Sequence, residues 1–220
     1  MWLADLDSWL GGVRSLAAPG ERRSQARRAA AQLAVNTALA EQGGSGTALI
    51  AHRCPVCGLD GHGRPVVPNT GLHLSVSASN RWAVVAVAKT ELGVDIEVPA
   101  GCRALPSAVL AAQESAVLAK MCPQEAWSTF LRFWTAKEAV AKADGRGLLA
   151  PLQQLDMSSL VGQQRTWAAL GGSRWYVQIV NGTEPGVVAI ATRQPTRVTW
   201  RHLNWEDSGP GCIDGVRRNY

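Results

Sequence analysis

The sequence predicts an α+β fold, and three features carry that expectation. An Ala-rich stretch near the N-terminus, free of Gly and Pro, reads as a helix. A group of short apolar strands follows. A pair of helical stretches then leads into a hairpin, so helices and strands are segregated instead of alternating.

In chain order, residues 1–18 read as a strand or short apolar segment ending in a turn at Pro19-Gly20. The segment from Glu21 to about Glu41, RRSQARRAAAQLAVNTALAEQ, is amphipathic and rich in Ala, Leu, Gln and Arg, and predicts a helix that Gly43 to Gly46 stops. Residues 48–71 read as a loop rich in Cys, Gly and Pro. Leu72–Ser77 and Trp82–Ala88 predict strands around the polar turn ASNR, and Val94–Val98 a third strand. Pro99 and Gly101 mark the expected subdomain boundary: 1–98 as the N-terminal subdomain and 99–205 as the C-terminal one. Helices are expected at 106–120 and 124–143, the second closing at Asp144-Gly145. Arg174–Val180 and Val187–Thr192 predict a hairpin, with Val198–Arg201 as a further strand, and residues 206–220 read as a flexible tail.

Composition excludes several classes. The chain has 220 residues, 46% apolar and 18% charged, which suits a packed protein and not a disordered one. The longest apolar run, Trp82 to Ala88, is too short to cross a bilayer. Asp5 and Asp7 stand where a secretion signal would carry positive charge, so the expectation is a cytoplasmic protein with no membrane partner. Five scattered cysteines argue against a secreted disulfide framework. Twenty-two basic residues, 18 of them Arg, against 17 acids leave a net charge of +5 and point to an anionic partner. No long basic tract suggests a nucleic-acid arm.

Two segments carry chemistry. GVDIE, residues 93–97, puts Asp95 and Glu97 on one face of a strand, with Val94 and Ile96 on the other. A solvated acidic strand end would look the same, because alternation produces such pairs. FWTAKEAVAKADGRG, residues 133–147, aligns Trp134, Glu138 and Lys142 along one helical stripe, with Lys137 on its flank. An exposed Glu–Lys pair is the plain alternative there. Together the segments suggest three carboxylates for a hard cation, with lysines beside them for phosphate oxygens.

GVDIE followed some forty residues later by WTAKEAVAK resembles the paired signature of the surfactin-type 4′-phosphopantetheinyl transferases. RCPVCGLDGHGRP, LHLSVSAS and GRGL extend the resemblance over roughly residues 22–148. It implies two similar α+β subdomains about a pseudo-twofold axis, with the site between them. It implies transfer of the phosphopantetheine arm of coenzyme A to a serine of an apo acyl or peptidyl carrier protein, usually for polyketide or nonribosomal peptide assembly. Adenosine 3′,5′-bisphosphate leaves. By that resemblance Asp95, Glu97 and Glu138 hold Mg²⁺, or Mn²⁺ in its place, and Glu138 is the general base. Lys142 and Lys137 would meet the pyrophosphate, Arg27 and Arg64 the 3′-phosphate, and Ser75, which matches the first serine of a Ser-His-Ser strand, would also contact the coenzyme. Arg22 and Arg23, at the helix start, read as solvated, and Glu114 as a solvated helix residue. Val76 replaces the family histidine, which implies weaker or altered coenzyme binding. A monomer is expected.

Other readings remain open. Cys54, Cys57 and His62, with His52 upstream, have zinc-ligand spacing but no second cysteine pair, and read more simply as a tight loop beside the coenzyme. A zinc- or nucleic-acid-binding module built on that loop would explain the charge but leave the carboxylates as coincidence. A coenzyme-binding family member with impaired transfer is the other alternative.

Overall fold

The computed structural model describes residues 1–7, 19–54, 57–99, 101, 104–180 and 186–203. Among these residues ten strands form two sheets. β1 (Trp2–Asp5), β2 (Ala51–Arg53), β3 (Arg64–Val67), β4 (Leu72–Ser79), β5 (Trp82–Ala88) and β10 (Arg201–Leu203) make the first, ordered β10-β1-β5-β4-β3-β2. β6 (Leu92–Glu97), β7 (Arg165–Leu170), β8 (Ser173–Val180) and β9 (Val187–Thr192) make the second, ordered β6-β9-β8-β7. All neighbours are antiparallel except β1 and β10.

α1 (Pro19–Ala40) covers the outer face of the first sheet. Its Ala26, Ala30, Ala34 and Ala38 recur every four residues, a small-residue stripe that packs on Leu72, Leu74 and Val85. α3 (Pro123–Asp144) covers the far face of the second sheet, packing on Trp175, Val177, Ala189 and Ala191. Between the sheets, Leu3, Val84 and Ala86 meet Val94, Ile96, Val188 and Ile190. A short α2 (Ala112–Leu118) precedes α3. The architecture is α+β, two sheets each carrying one long helix.

Several elements differ from expectation. Pro19-Gly20 opens α1 instead of forming a turn, since a first-turn proline gives up an N–H that has no helical partner anyway. The loop expected at 48–71 contains β2 and β3, disguised by their shortness and by Pro65 within β3. The helix expected at 106–120 divides into a 3₁₀ turn, Ser107–Val109, and α2. β7 went unpredicted, and the last strand, Arg201–Leu203, joins β1 of the first sheet. The chain changes sheets between β5 and β6, so the strand of Asp95 belongs to the second sheet and a division at 98/99 does not follow the sheets. The tail 206–220 lies outside the described residues. No helix among the described residues is long and apolar enough to cross a membrane.

Candidate active site

β6 supplies two carboxylates. Val94 and Ile96 are buried between the sheets, while Asp95 sits opposite Ala189 on the face that α3 covers. The helix lies unusually close to this strand. A Cβ on Gly93 would fall 2.1 Å from the Ala139 carbonyl oxygen and 2.4 Å from the Ala143 nitrogen. Ala136, Ala139 and Ala143 are buried along the same side of α3. Small residues on both elements thus let the Glu138–Lys142 turn reach the strand.

The resulting polar cluster is tightly connected. Lys142 Nζ donates to Asp95 Oδ1 at 2.6 Å and to Ser77 Oγ at 2.8 Å, and Ser77 donates to the same carboxylate oxygen at 2.6 Å. Glu97 accepts from Ser79 Oγ at 3.1 Å and from Trp134 Nε1 at 3.0 Å. Asp95 is 3% exposed and Glu138 8%. Asp95 Oδ2 and Glu138 Oε1 are buried with no protein hydrogen-bond partner.

Electrostatics point the same way. Burial pushes the Asp95 carboxyl above the ordinary carboxylate range, against the pull of Lys142 and Ser77. Burial, then the Asp95 charge, pushes Glu97 up. Burial, then the same charge, raises Glu138. A cation bound by these carboxylates would relieve the repulsion between them. An all-oxygen donor set suits a hard ion such as Mg²⁺.

β6 is the edge strand of its sheet, and the serines of β4 cover that edge. Val94 N–H donates to Ser75 Oγ at 3.0 Å and Val98 N–H to Ser79 Oγ at 3.1 Å, with Ser77 on Asp95 between them. The serines substitute for a strand partner, leaving no bare edge there. Ser75, 6% exposed, thereby aligns β6 against β4. Ser77 and Ser79 were missed, although their period-two spacing with Ser75 is visible in LHLSVSAS.

Lys137 also departs from expectation. It is 1% exposed, and its ammonium donates to Glu114 Oε2 at 2.6 Å and to the Val109 carbonyl at 2.7 Å. Glu114, expected in solvent, is fully buried and also accepts from the Ala111 and Met157 N–H groups. The pair ties α2, α3 and the Met157 backbone together inside the core. A helix turns by about 100° per residue, so Lys137 leaves the Trp134–Glu138–Lys142 stripe.

Arg27 and Arg28 line a cavity of about 690 Å³ between α1 and the first sheet, together with His52, Pro65, Leu74 and Val76. Leu74 and Val76 occupy the face of β4 opposite the serines. Arg64 lines a separate hollow of about 170 Å³ beside Leu92, so the two arginines do not share a cavity lining. A third cavity, about 380 Å³, opens beside Glu97 against Trp127, Phe130 and Trp134.

Residues 91–191 match the family model of the 4′-phosphopantetheinyl transferase superfamily. The chain is 29% identical over 102 residues to a 4′-phosphopantetheinyl transferase of Bacillus subtilis, covering 46% of each chain. It is 29% identical over 99 residues to the 4′-phosphopantetheinyl transferase Sfp of Bacillus subtilis (strain 168), covering 44% of each. The match thus spans just under half the length of these relatives. The matched segment, which is similar to the 4′-phosphopantetheinyl transferase superfamily, holds Asp95, Glu97, Glu138 and Lys142.

Proposed function

We propose that this protein transfers the 4′-phosphopantetheine arm of coenzyme A to a serine hydroxyl of an apo acyl or peptidyl carrier protein. The observation that supports it most is that Asp95 and Glu138 each keep a buried carboxylate oxygen without a protein partner, while Glu138 feels the charges of Asp95 and Glu97 and Lys142 binds Asp95. Asp95, Glu97 and Glu138 would hold Mg²⁺. The ion supplies positive charge to the pyrophosphate oxygens when bound.

The serine oxygen forms a bond to the phosphorus that bears the pantetheine arm. The bond from that phosphorus to the bridging oxygen breaks, and adenosine 3′,5′-bisphosphate leaves. Glu138 takes the serine proton; its raised affinity for protons, from burial and Asp95, suits a general base. Lys142 places a cation where charge grows on the leaving phosphate. Asp95 and Ser77 hold that ammonium in place.

Arg27 and Arg28 give the cavity of about 690 Å³ a positive wall suited to the 3′-phosphate. Val76 lies in the same cavity, and so does His52, which brings an imidazole to a site where Val76 brings none. The apolar cavity beside Glu97 offers the carrier protein or the pantetheine arm an aromatic wall. Carrier proteins of polyketide or nonribosomal peptide assembly are the proposed partners, and a net charge of +5 favours an acidic one.

Intact mass spectrometry of an apo carrier protein, incubated with the protein, coenzyme A and Mg²⁺, tests the reading. The expected result is a gain of one phosphopantetheine mass, lost with Glu138→Gln and with a chelator. No gain across several acyl and peptidyl carriers, with coenzyme A binding intact, would overturn transfer and leave a coenzyme-binding protein.

A further inference from the structure

We propose that Cys54 Sγ, Cys57 Sγ and His62 Nε2 form a second metal site, for a thiophilic divalent cation such as Zn²⁺, with solvent in the fourth position. The three ligand atoms all lie within 4.8 Å of one another. Cys57 Sγ and His62 Nε2 are 3.3 Å apart. Zn–S and Zn–N bonds of about 2.3 and 2.0 Å at tetrahedral angles place such atoms about 3.5 Å apart. The Cys57–His62 pair already lies near the edge length that a zinc ion requires, with Cys54 Sγ within 4.8 Å of both.

The backbone builds this arrangement. β2 ends at Arg53 and β3 begins at Arg64, paired across from it, so the ligands sit on one hairpin loop. The Gly58 N–H donates to the Cys54 carbonyl at 2.9 Å, and Cys54 N–H donates to the Leu59 carbonyl at 2.9 Å. Gly58 has φ +74°, a left-handed conformation that lets the chain fold back directly after Cys57. Gly63 returns the chain past Cys54 so closely that a Cβ would fall 2.6 Å from the Cys54 Cα.

The loop has little apolar packing to hold it. None of the described residues 51–66 belongs to an apolar core cluster. Leu59, its large apolar side chain, is 64% exposed. Apolar burial among the described residues thus contributes little to ordering this hairpin, and metal binding would add to it. The set of soft sulfur and imidazole donors also separates it from the all-oxygen carboxylate cluster, so the site stands or falls independently of the transfer reading. Its consequence for the fold is specific: His52 and Pro65, on the two strands of this hairpin, line the cavity of Arg27 and Arg28.

The test is metal analysis of the full-length protein, reduced and equilibrated with Zn²⁺, then with Co²⁺ as a spectroscopic probe. The expected result is one tightly held zinc per chain and a thiolate-to-cobalt charge-transfer band. Cys54→Ser, Cys57→Ser and His62→Gln should weaken affinity by more than the roughly 10–100-fold that losing even an outer-sphere partner costs. Cys122→Ser, at an exposed thiol outside the cluster, should leave zinc and band unchanged. Wild-type protein serves if a variant fails to fold, because the band itself reports thiolate ligation. No band from reduced wild-type protein, or zinc held equally by the cysteine variants, would overturn the site. So would a Cys54–Cys57 disulfide that, once reduced, gives thiols that take up no metal.

Discussion

Gly93 has no room for a side chain, because its missing Cβ would lie 2.1 Å from the carbonyl oxygen of Ala139. That contact sets the distance between the strand of Asp95 and the helix of Glu138. Gly93→Ala should cost about 1–3 kcal/mol as an overpacked core does. It should also lower transfer at temperatures where the variant is folded, because α3 must move off β6. Denaturant unfolding alongside a transfer assay checks this, and full activity with unchanged stability would refute the packing argument.

The two lysines of WTAKEAVAK should separate cleanly. Lys137→Met leaves Glu114 charged in the core, and breaking such a pair costs about 3–5 kcal/mol. The Lys142 side chain is 27% exposed, so Lys142→Met should unfold less readily yet lose transfer. Thermal melts and rates measured together decide it. Equal destabilisation with equal activity loss would show that both lysines are structural.

Mg²⁺ should stabilise the protein more as pH rises. Asp95, Glu97 and Glu138 all have raised pKa values from burial. For a carboxyl raised in the folded state, the penalty begins as pH climbs past the unfolded value and is complete above the folded one. Protons compete with the cation below that window. At a hundredfold excess over Kd the gain is about 2.7 kcal/mol. Melting temperatures with Mg²⁺ and with chelator, from mildly acidic to neutral pH, measure it, and Glu138→Gln should flatten the difference.

Ser75→Ala removes the acceptor for the buried Val94 N–H, at about 1–3 kcal/mol. The Michaelis constant for coenzyme A should not move. A raised constant with unchanged stability would return Ser75 to the coenzyme site.

Val76→His should lower the Michaelis constant for coenzyme A. A charge-assisted contact of about 1.4 kcal/mol corresponds to tenfold. His52→Ala in the native background should raise it if His52 already supplies that imidazole, since both residues line the Arg27 cavity. No response to either change would remove the 3′-phosphate from this cavity.

The sequence by itself determined what depends on local periodicity. Period two put Asp95 and Glu97 on one face of a strand, and period 3.6 put Trp134, Glu138 and Lys142 on one side of a helix, because those repeats follow from backbone geometry alone. Gly145, with φ +89°, ends α3 where a left-handed residue was needed, which is equally local. The tertiary structure decided everything that needed two distant segments to meet. Lys137 and Glu114 are 23 residues apart, and neither bears any mark of burial until α2 packs on α3. Ser75, Ser77 and Ser79 read as a polar strand face until β6 presents its open edge to them. The sheet to which β6 belongs was settled by its pairing with β9, some ninety residues onward, and no local pattern in GVDIE carries that choice.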